Sequence, residues 1–255
     1  MKNRIILVLA CVISAISCAD SEPNVEVIPI QDNAEPRLMP RALFADAPDS
    51  LIAALGLEDG VPSSVCAFLV RKDGKEILFD AANGASDSRL LAVLESYGVA
   101  PDQIDYIFIT HLHGDHIGGL VKNEAPVFAN AELYINQTEY EAWMAMERNA
   151  AVMAVTQAYG ENLKIFSPDG QLPCGVQPIK AYGHTPGHTA YKVGQALIVG
   201  DIMHGVALQK DHPQYCARFD MDPEQSAAAR KEILQMAAAS GLKLYGMHFP
   251  DPYYL

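Results

Sequence analysis

Six consecutive residues, His111-Leu112-His113-Gly114-Asp115-His116, constrain this chain more than any other stretch. Packing so many basic and charged side chains together is costly unless a cation satisfies them. The apolar run Ile107-Phe108-Ile109 leads straight into the cluster, which places it on a turn from strand to helix. Alternation at the strand end aims His111 and His113 the same way and turns Leu112 into the core. Asp115 and His116 then open a helix at a different angle. These ligand-type side chains can therefore serve two adjacent metal ions.

Three further ligand-type residues fall in comparable places. Asp201 follows Leu197-Ile198-Val199-Gly200, and His248 follows Leu244-Tyr245-Gly246-Met247. His188 closes the turn-forming stretch Gly183-His184-Thr185-Pro186-Gly187-His188. Ligands at strand ends stand on rigid supports, so several can converge at one edge of a sheet. Taken singly, His248 or Asp201 would read as a surface or hydrogen-bonded residue. The dense cluster reverses that reading.

The surrounding pattern alternates strands with helices. Val65–Val70 and Glu76–Asp80 flank Lys72-Asp73-Gly74-Lys75, a hairpin signal. Ser88–Tyr97 has helical spacing and stops at Gly98. Ile104–Thr110 and Leu133–Ile135 read as strands, and Asn136-Gln137-Thr138-Glu139 as a capping box opening a helix through Trp143. A strand is expected at Ala196–Val199. Asp222-Pro223 opens a helix that ends at Gly241, and Leu242–Met247 is a last strand. The class is α/β, in a chain whose 255 residues, half of them hydrophobic, suffice for one full core.

The N-terminus reads as an export signal over residues 1–17. Lys2 and Arg4 precede an apolar run from Ile5 to Ile16, too short to span a bilayer comfortably. Ala15-Ile16-Ser17-Cys18 resembles a bacterial lipobox, which implies a lipidated Cys18 as mature N-terminus and a periplasmic or cell-envelope location; simple cleavage and secretion is the alternative. Residues 18–40, rich in Pro, Asp, Glu and Asn, suit a flexible tether, with the domain over 41–255. Cys66, Cys174 and Cys216 read as buried or incidental thiols with at most one bridge. A net charge of −13 makes nucleic acid an improbable partner. The expected partner is a small-molecule substrate, and the only membrane contact a lipid anchor.

The cluster, the Gly-His-Thr-Pro-Gly-His turn, the Gly200-Asp201 pair and the late His248 together resemble the metallo-β-lactamase superfamily, from about residue 40 to the end. The resemblance implies a four-layer αββα sandwich with metals at one edge between the sheets. It is nearer to the exported branch with methyl parathion hydrolase and lactonase-like enzymes, through Gly200–His204, Phe219–Pro223 and Gly246–Pro250. Carried over residue by residue, it puts His111, His113 and His188 on one metal, Asp115, His116 and His248 on the other, and Asp201 between them. His184 is expected as a hydrogen-bonding neighbour rather than a ligand, Asp80 as a brace of the metal-binding loop, and His204 as a pocket or packing residue. Two departures stand out. The family's Asp-x-Gly-x-Gly is Asp80-Ala81-Ala82-Asn83-Gly84 here, which implies a differently shaped loop, and Leu255 follows soon after His248, which leaves the pocket rim less defined.

The implied cofactors are two divalent ions, zinc first and manganese, cobalt or iron as alternatives. Two such ions sharing a hydroxide, oriented by Asp115 as the catalytic residue, would attack an ester or lactone carbonyl, with N-acyl-homoserine lactone one candidate. Phosphotriester hydrolysis is the alternative on the same site. β-Lactamase, glyoxalase-II-like thioesterase, mononuclear-iron persulfide dioxygenase and a non-catalytic metal-binding protein rank below these. Homodimers are the assembly that similar proteins suggest.

Overall fold

The structure, a computed structural model, describes residues 25–147 and 149–255. Its strands are β1 (Glu26–Gln31), β2 (Arg37–Met39), β3 (Val61–Ser63), β4 (Cys66–Lys72), β5 (Lys75–Phe79), β6 (Tyr106–Phe108), β7 (Val121–Lys122), β8 (Ala125–Pro126), β9 (Glu132–Asn136), β10 (Leu163–Phe166), β11 (Gln177–Lys180), β12 (Thr189–Val193), β13 (Ala196–Gly200) and β14 (Lys243–Gly246). Its helices are α1 (Asp49–Leu55), α2 (Leu90–Ser96), α3 (Gly114–Ile117), α4 (Gln137–Met144), α5 (Ala150–Tyr159), α6 (Val206–Gln209) and α7 (Pro223–Ser240).

Two sheets make the frame. One has the order β1-β4-β5-β6-β9-β10, antiparallel through β5 and parallel beyond it. The other has the order β11-β12-β13-β14, with only the β13/β14 pair parallel. Strand alternation sorts the core into layers. On β4, Cys66, Phe68 and Val70 face the second sheet, where Tyr191, Ile198 and Tyr245 meet them. Ala67 and Leu69 face the other way, onto Leu90 and Leu94 of α2 and Val152 and Val155 of α5. On β13, Ile198 points inward, while Leu197 and Val199 pack on Ile233 and Ala237 of α7. Helices, sheet, sheet and helix stack in the expected αββα order. Both faces of each central strand are covered, so these strands read as continuous apolar runs.

The expected tether over 18–40 needs correction. Residues 18–24, with the signal stretch and Cys18, lie outside the described residues, but from Glu26 the chain is an integral strand. Ile28 and Ile30 are buried in the outer layer of the core. Pro29 obscures the pattern in sequence, and it is tolerated because β1 is an edge strand that, among the described residues, pairs with β4 alone. β2 then pairs with β3 above a small cluster of Met39, Phe44, Ile52, Val61 and Leu208 beside the site described next. Cys66, Cys174 and Cys216 are free thiols.

Candidate metal centre

The candidate ligands arrive at one edge of the sandwich from the carboxyl ends of strands. His111 and His113 follow β6, Asp115 and His116 lie in α3, and His184 stands on the loop between β11 and β12. Asp201 directly follows β13, and His248 follows β14. A backbone bond from Thr189 N to Thr110 O joins the two sheets here, and one from Met247 N to Gly200 O extends the β13/β14 pair. Gly200 has φ of 51°, and a Cβ there would sit 2.6 Å from His188 Nε2 and 2.8 Å from Thr110, so the close approach requires glycine.

His111 Nε2, His113 Nδ1 and His184 Nε2 form a triangle with edges of 2.9, 3.0 and 3.1 Å. A tetrahedral zinc with bonds of about 2.0–2.1 Å separates its ligand atoms by about 3.3 Å, so this tripod has the right size for an ion. Asp115, His116 and His248 form a second group, with His248 Nε2 3.6 Å from Asp115 Oδ2. Asp201 lies between the groups. Its Oδ1 is 3.2 Å from His116 Nε2, and its Oδ2 is 3.1 Å from His248 Nε2 and 3.5 Å from His184 Nε2.

The unpartnered atoms test whether cations fit. Among the described residues, the buried side-chain atoms lacking a hydrogen-bond partner are Asp32 Oδ2, His116 Nε2, Asp201 Oδ1 and His204 Nδ1. All but the first belong to this centre. Leaving such atoms unmatched is costly, and a divalent cation would satisfy His116 Nε2 and Asp201 Oδ1 together. The donors are imidazoles and carboxylates without thiolate, a set that fits divalent metal ions such as zinc.

The other ring nitrogens are held from outside. His116 Nδ1 meets Asp80 Oδ2 at 2.8 Å, and Asp80 also accepts from Thr110 N and Thr110 Oγ1, each at 2.8 Å. His248 Nδ1 donates to Ser64 O at 2.8 Å. His184 Nδ1 meets Asp220 Oδ1 at 2.9 Å, and the fully buried Arg230 holds the other Asp220 oxygen at 3.2 Å. Such partners fix the tautomer and aim of a ligand ring. Asp80 thus lies behind His116 and outside every ligand-type group.

One expected ligand is displaced. His188 donates from Nδ1 to Ala181 O at 2.9 Å and accepts at Nε2 from Asp201 N at 3.1 Å. With both nitrogens on backbone groups, it has none left for a metal. His184 occupies the place foreseen for it. The loop turns so that its first histidine enters the centre and its second anchors the loop to β13. His204 stands on the pocket wall, its Nε2 3.2 Å from Asp201 Oδ2 and its ring stacked on His248. Asp220 and Arg230 escaped the sequence reading. A signal was present in α7, where Arg230 shares a buried stripe with Ser226, Ile233 and Ala237, and a buried guanidinium demands a carboxylate.

Burial drives the His113 and His184 pKa values down to about 4 and that of His111 well below the usual histidine range. The tripod is neutral at pH 7, with lone pairs available. Burial also disfavours charge on His116 and His248, but Asp201 outweighs it, with Asp80 aiding His116 and Asp115 aiding His248, and both values rise. Asp201, raised by burial but lowered more by His248, His116 and His204, stays ionised. A cation bound beside Asp201 would therefore compete with protons at His116 and His248.

The Asp80–Gly84 loop keeps the backbone that the missing glycine would favour, since Ala82 has φ of 54°. It runs backbone against backbone along Gly118 and Gly119. A Cβ at Gly119 would lie 2.1 Å from Ala81 O. A pocket of about 310 Å³ opens above the centre, floored by His113, Asp115, Asp201 and His248 and walled by Arg37, Met39, His204 and Phe219.

Comparison with known proteins agrees with this architecture. A family model described as the metallo-beta-lactamase superfamily matches residues 60–248. An N-acyl homoserine lactonase of Bacillus thuringiensis is 28% identical over 155 residues, 59% of this chain and 58% of that protein. One of Bacillus cereus is 32% identical over 154 residues, 58% of each. The chain thus matches about 58% of the length of these curated relatives. Among solved structures, the hydrolase AbOPH of the beta lactamase superfamily superposes with a TM-score of 0.80 at 27% identity, covering 91% of this chain and 89% of that one. AidC, a dizinc quorum-quenching lactonase, shares the fold with a TM-score of 0.80 at 23% identity, over 90% and 89% of the two chains.

Proposed function

Since the chain belongs to the metallo-beta-lactamase superfamily, we propose that it is a dinuclear zinc hydrolase that opens lactones or cleaves related esters, with N-acyl-homoserine lactones as candidate substrates. The observation that carries the reading is Asp201, whose two oxygens face both ligand groups from one fully buried carboxylate. His111, His113 and His184 would hold one ion, Asp115, His116 and His248 the other, and Asp201 both. Ions bound there supply Lewis acidity and bring the pKa of a coordinated water to about 7.

The chain's own residues do the rest. Asp115, with a side chain 37% exposed at the pocket floor, can take a proton from the attacking water at Oδ2 and pass it to the leaving oxygen. His204 presents its ring to the same space and can hydrogen-bond a substrate oxygen. Met39 and Phe219 offer an apolar wall for an acyl or aryl group, and Arg37, beside Met39 on β2, offers a donor for a carbonyl or other acceptor at the mouth. Nothing in this scheme needs a serine or cysteine nucleophile.

The test is a substrate panel on metal-loaded protein: N-acyl-homoserine lactones, simple lactones, aryl esters, phosphotriesters and β-lactams. Lactone turnover that vanishes in Asp201→Ala supports the reading. Preferential turnover of phosphotriesters would move the assignment to that chemistry, and activity surviving Asp201→Ala would overturn the bridging role. Export with lipidation at Cys18 is part of the proposal, and mass spectrometry of the mature N-terminus tests it.

A further inference from the structure

Glu139 is a buried titratable group that the proposed reaction leaves without a role. Its sequence neighbourhood reads as a capping box, but the reciprocal bonds of that box do not form. Asn136 Oδ1 accepts from Thr138 N at 2.8 Å, while the Glu139 carboxylate turns away from its own helix end. It is 1% exposed and accepts from four donors on two other segments and on Trp143. Oε1 takes Leu112 N at 2.9 Å and Trp143 Nε1 at 2.7 Å. Oε2 takes Thr185 Oγ1 at 2.7 Å and Gly187 N at 2.8 Å.

The two segments are those that carry the tripod. Leu112 is the residue between His111 and His113, and Thr185 follows His184. One carboxylate therefore grips the peptide between two histidines with one oxygen and the loop of the third with the other. The approach is close: a Cβ on Gly187 would lie 2.2 Å from Glu139 N. Trp143 completes the bracket, since its indole donates to Glu139 while its ring meets His113 edge-on at 5.5 Å. A buried carboxylate with every lone pair used is rigid, and losing it would strand two backbone N–H groups inside the protein. Burial raises its pKa, and the donors from Leu112, Thr185, Gly187 and Trp143 oppose that shift.

We propose that Glu139 is a positioning residue that sets the spacing between the His111–His113 segment and the His184 loop, and so sets the affinity of the metal held by those three histidines. The inference rests on the metallohydrolase reading of the centre. It predicts that disturbing Glu139 acts on one ion rather than on the whole fold. Glu139→Gln keeps the volume but presents an amide N–H to one of the two segments, where donors already stand. Thr185→Val removes a single donor and leaves the carboxylate in place.

The experiment is Zn2+ binding to metal-stripped wild-type, Glu139→Gln and Thr185→Val proteins by competition with a chromophoric chelator, alongside circular dichroism and thermal melting of the metal-free forms. Glu139→Gln should weaken one binding step by about 10–100-fold, leave the other within about threefold, and retain the wild-type spectrum. Thr185→Val should weaken the same step by a smaller factor. Unchanged affinities in both variants would overturn the proposal, as would equal loss in both steps accompanying a general fall in melting temperature. If Glu139→Gln does not fold, Thr185→Val decides on the same criteria. Wild-type protein that binds no Zn2+ would instead overturn the reading of the centre itself.

Discussion

The exchange of roles between His184 and His188 is open to a direct double test, because the two histidines should fail in different ways. His188→Ala removes a ring that is fully buried and joins Ala181 O to Asp201 N. It leaves a donor and an acceptor unpaired and a cavity the size of an imidazole, a loss of about 3–5 kcal/mol in the metal-free protein. For a chain of this size each kcal/mol moves the melting temperature by about 2–4 °C, so a fall of about 6–20 °C is expected. His184→Ala instead removes one corner of the tripod. Its ring is as buried as that of His188 and its loss leaves Asp220 Oδ1 unpaired, so the metal-free protein should also lose about 3–5 kcal/mol. Metal affinity should fall by more than about 100-fold, beyond the loss usual for a residue that merely supports a ligand. The assay is urea unfolding in chelator paired with Zn2+ competition for each variant. Both variants should be less stable, but His188→Ala should keep its affinity within about 100-fold while His184→Ala loses more than that. The opposite pattern, a metal-binding His184→Ala and a metal-free His188→Ala, would refute the argument and restore His188 as the ligand.

Other consequences are simpler to check. Gly119→Ala would press a methyl group onto Ala81 O and should destabilise the protein by about 1–3 kcal/mol in thermal or urea unfolding. Arg37→Ala should raise KM for a substrate bound at the pocket mouth by about fivefold with kcat nearly unchanged; a selective fall in kcat would show that Arg37 acts on the transition state instead. Burial pushes the Cys66 thiol up from 9.0 to about 12, with the Ser64 hydrogen bond opposing. The unfolded chain releases this proton above about pH 9 while the folded chain retains it, so stability present below that pH falls as pH rises, by about 1.4 kcal/mol per pH unit. Urea unfolding at pH 8.5 and 10 should show the loss in wild type and a shallower slope in Cys66→Ala.

What could be read from the chain, and what could not, follows from how far each interaction reaches along it. His111, His113, Asp115 and His116 are legible because they crowd one strand end, and Asp201 and His248 because apolar runs deliver them to similar ends. The central strands are equally plain, since both their faces are buried. β1 is obscured by Pro29, which only its edge position makes acceptable. The choice between His184 and His188 cannot be made from a four-residue spacing in a turn. It is decided by Ala181 O and by Asp201 N, the latter reached only once β13 lies beside the loop. The support of the centre is the least legible part for the same reason. Asp80 reaches His116 across 36 residues, Asp220 reaches His184 across 36, and Glu139 joins Leu112, 27 residues before it, to Gly187, 48 residues after it. A capping motif and an acidic stretch before a helix are the local signatures that Glu139 and Asp220 leave, and both describe helix ends rather than a metal centre. Residues that touch an ion must gather in short segments because rigid strand ends deliver them. Residues that aim those ligands need only a buried path to the ring, so they can come from anywhere in the chain that the fold brings near.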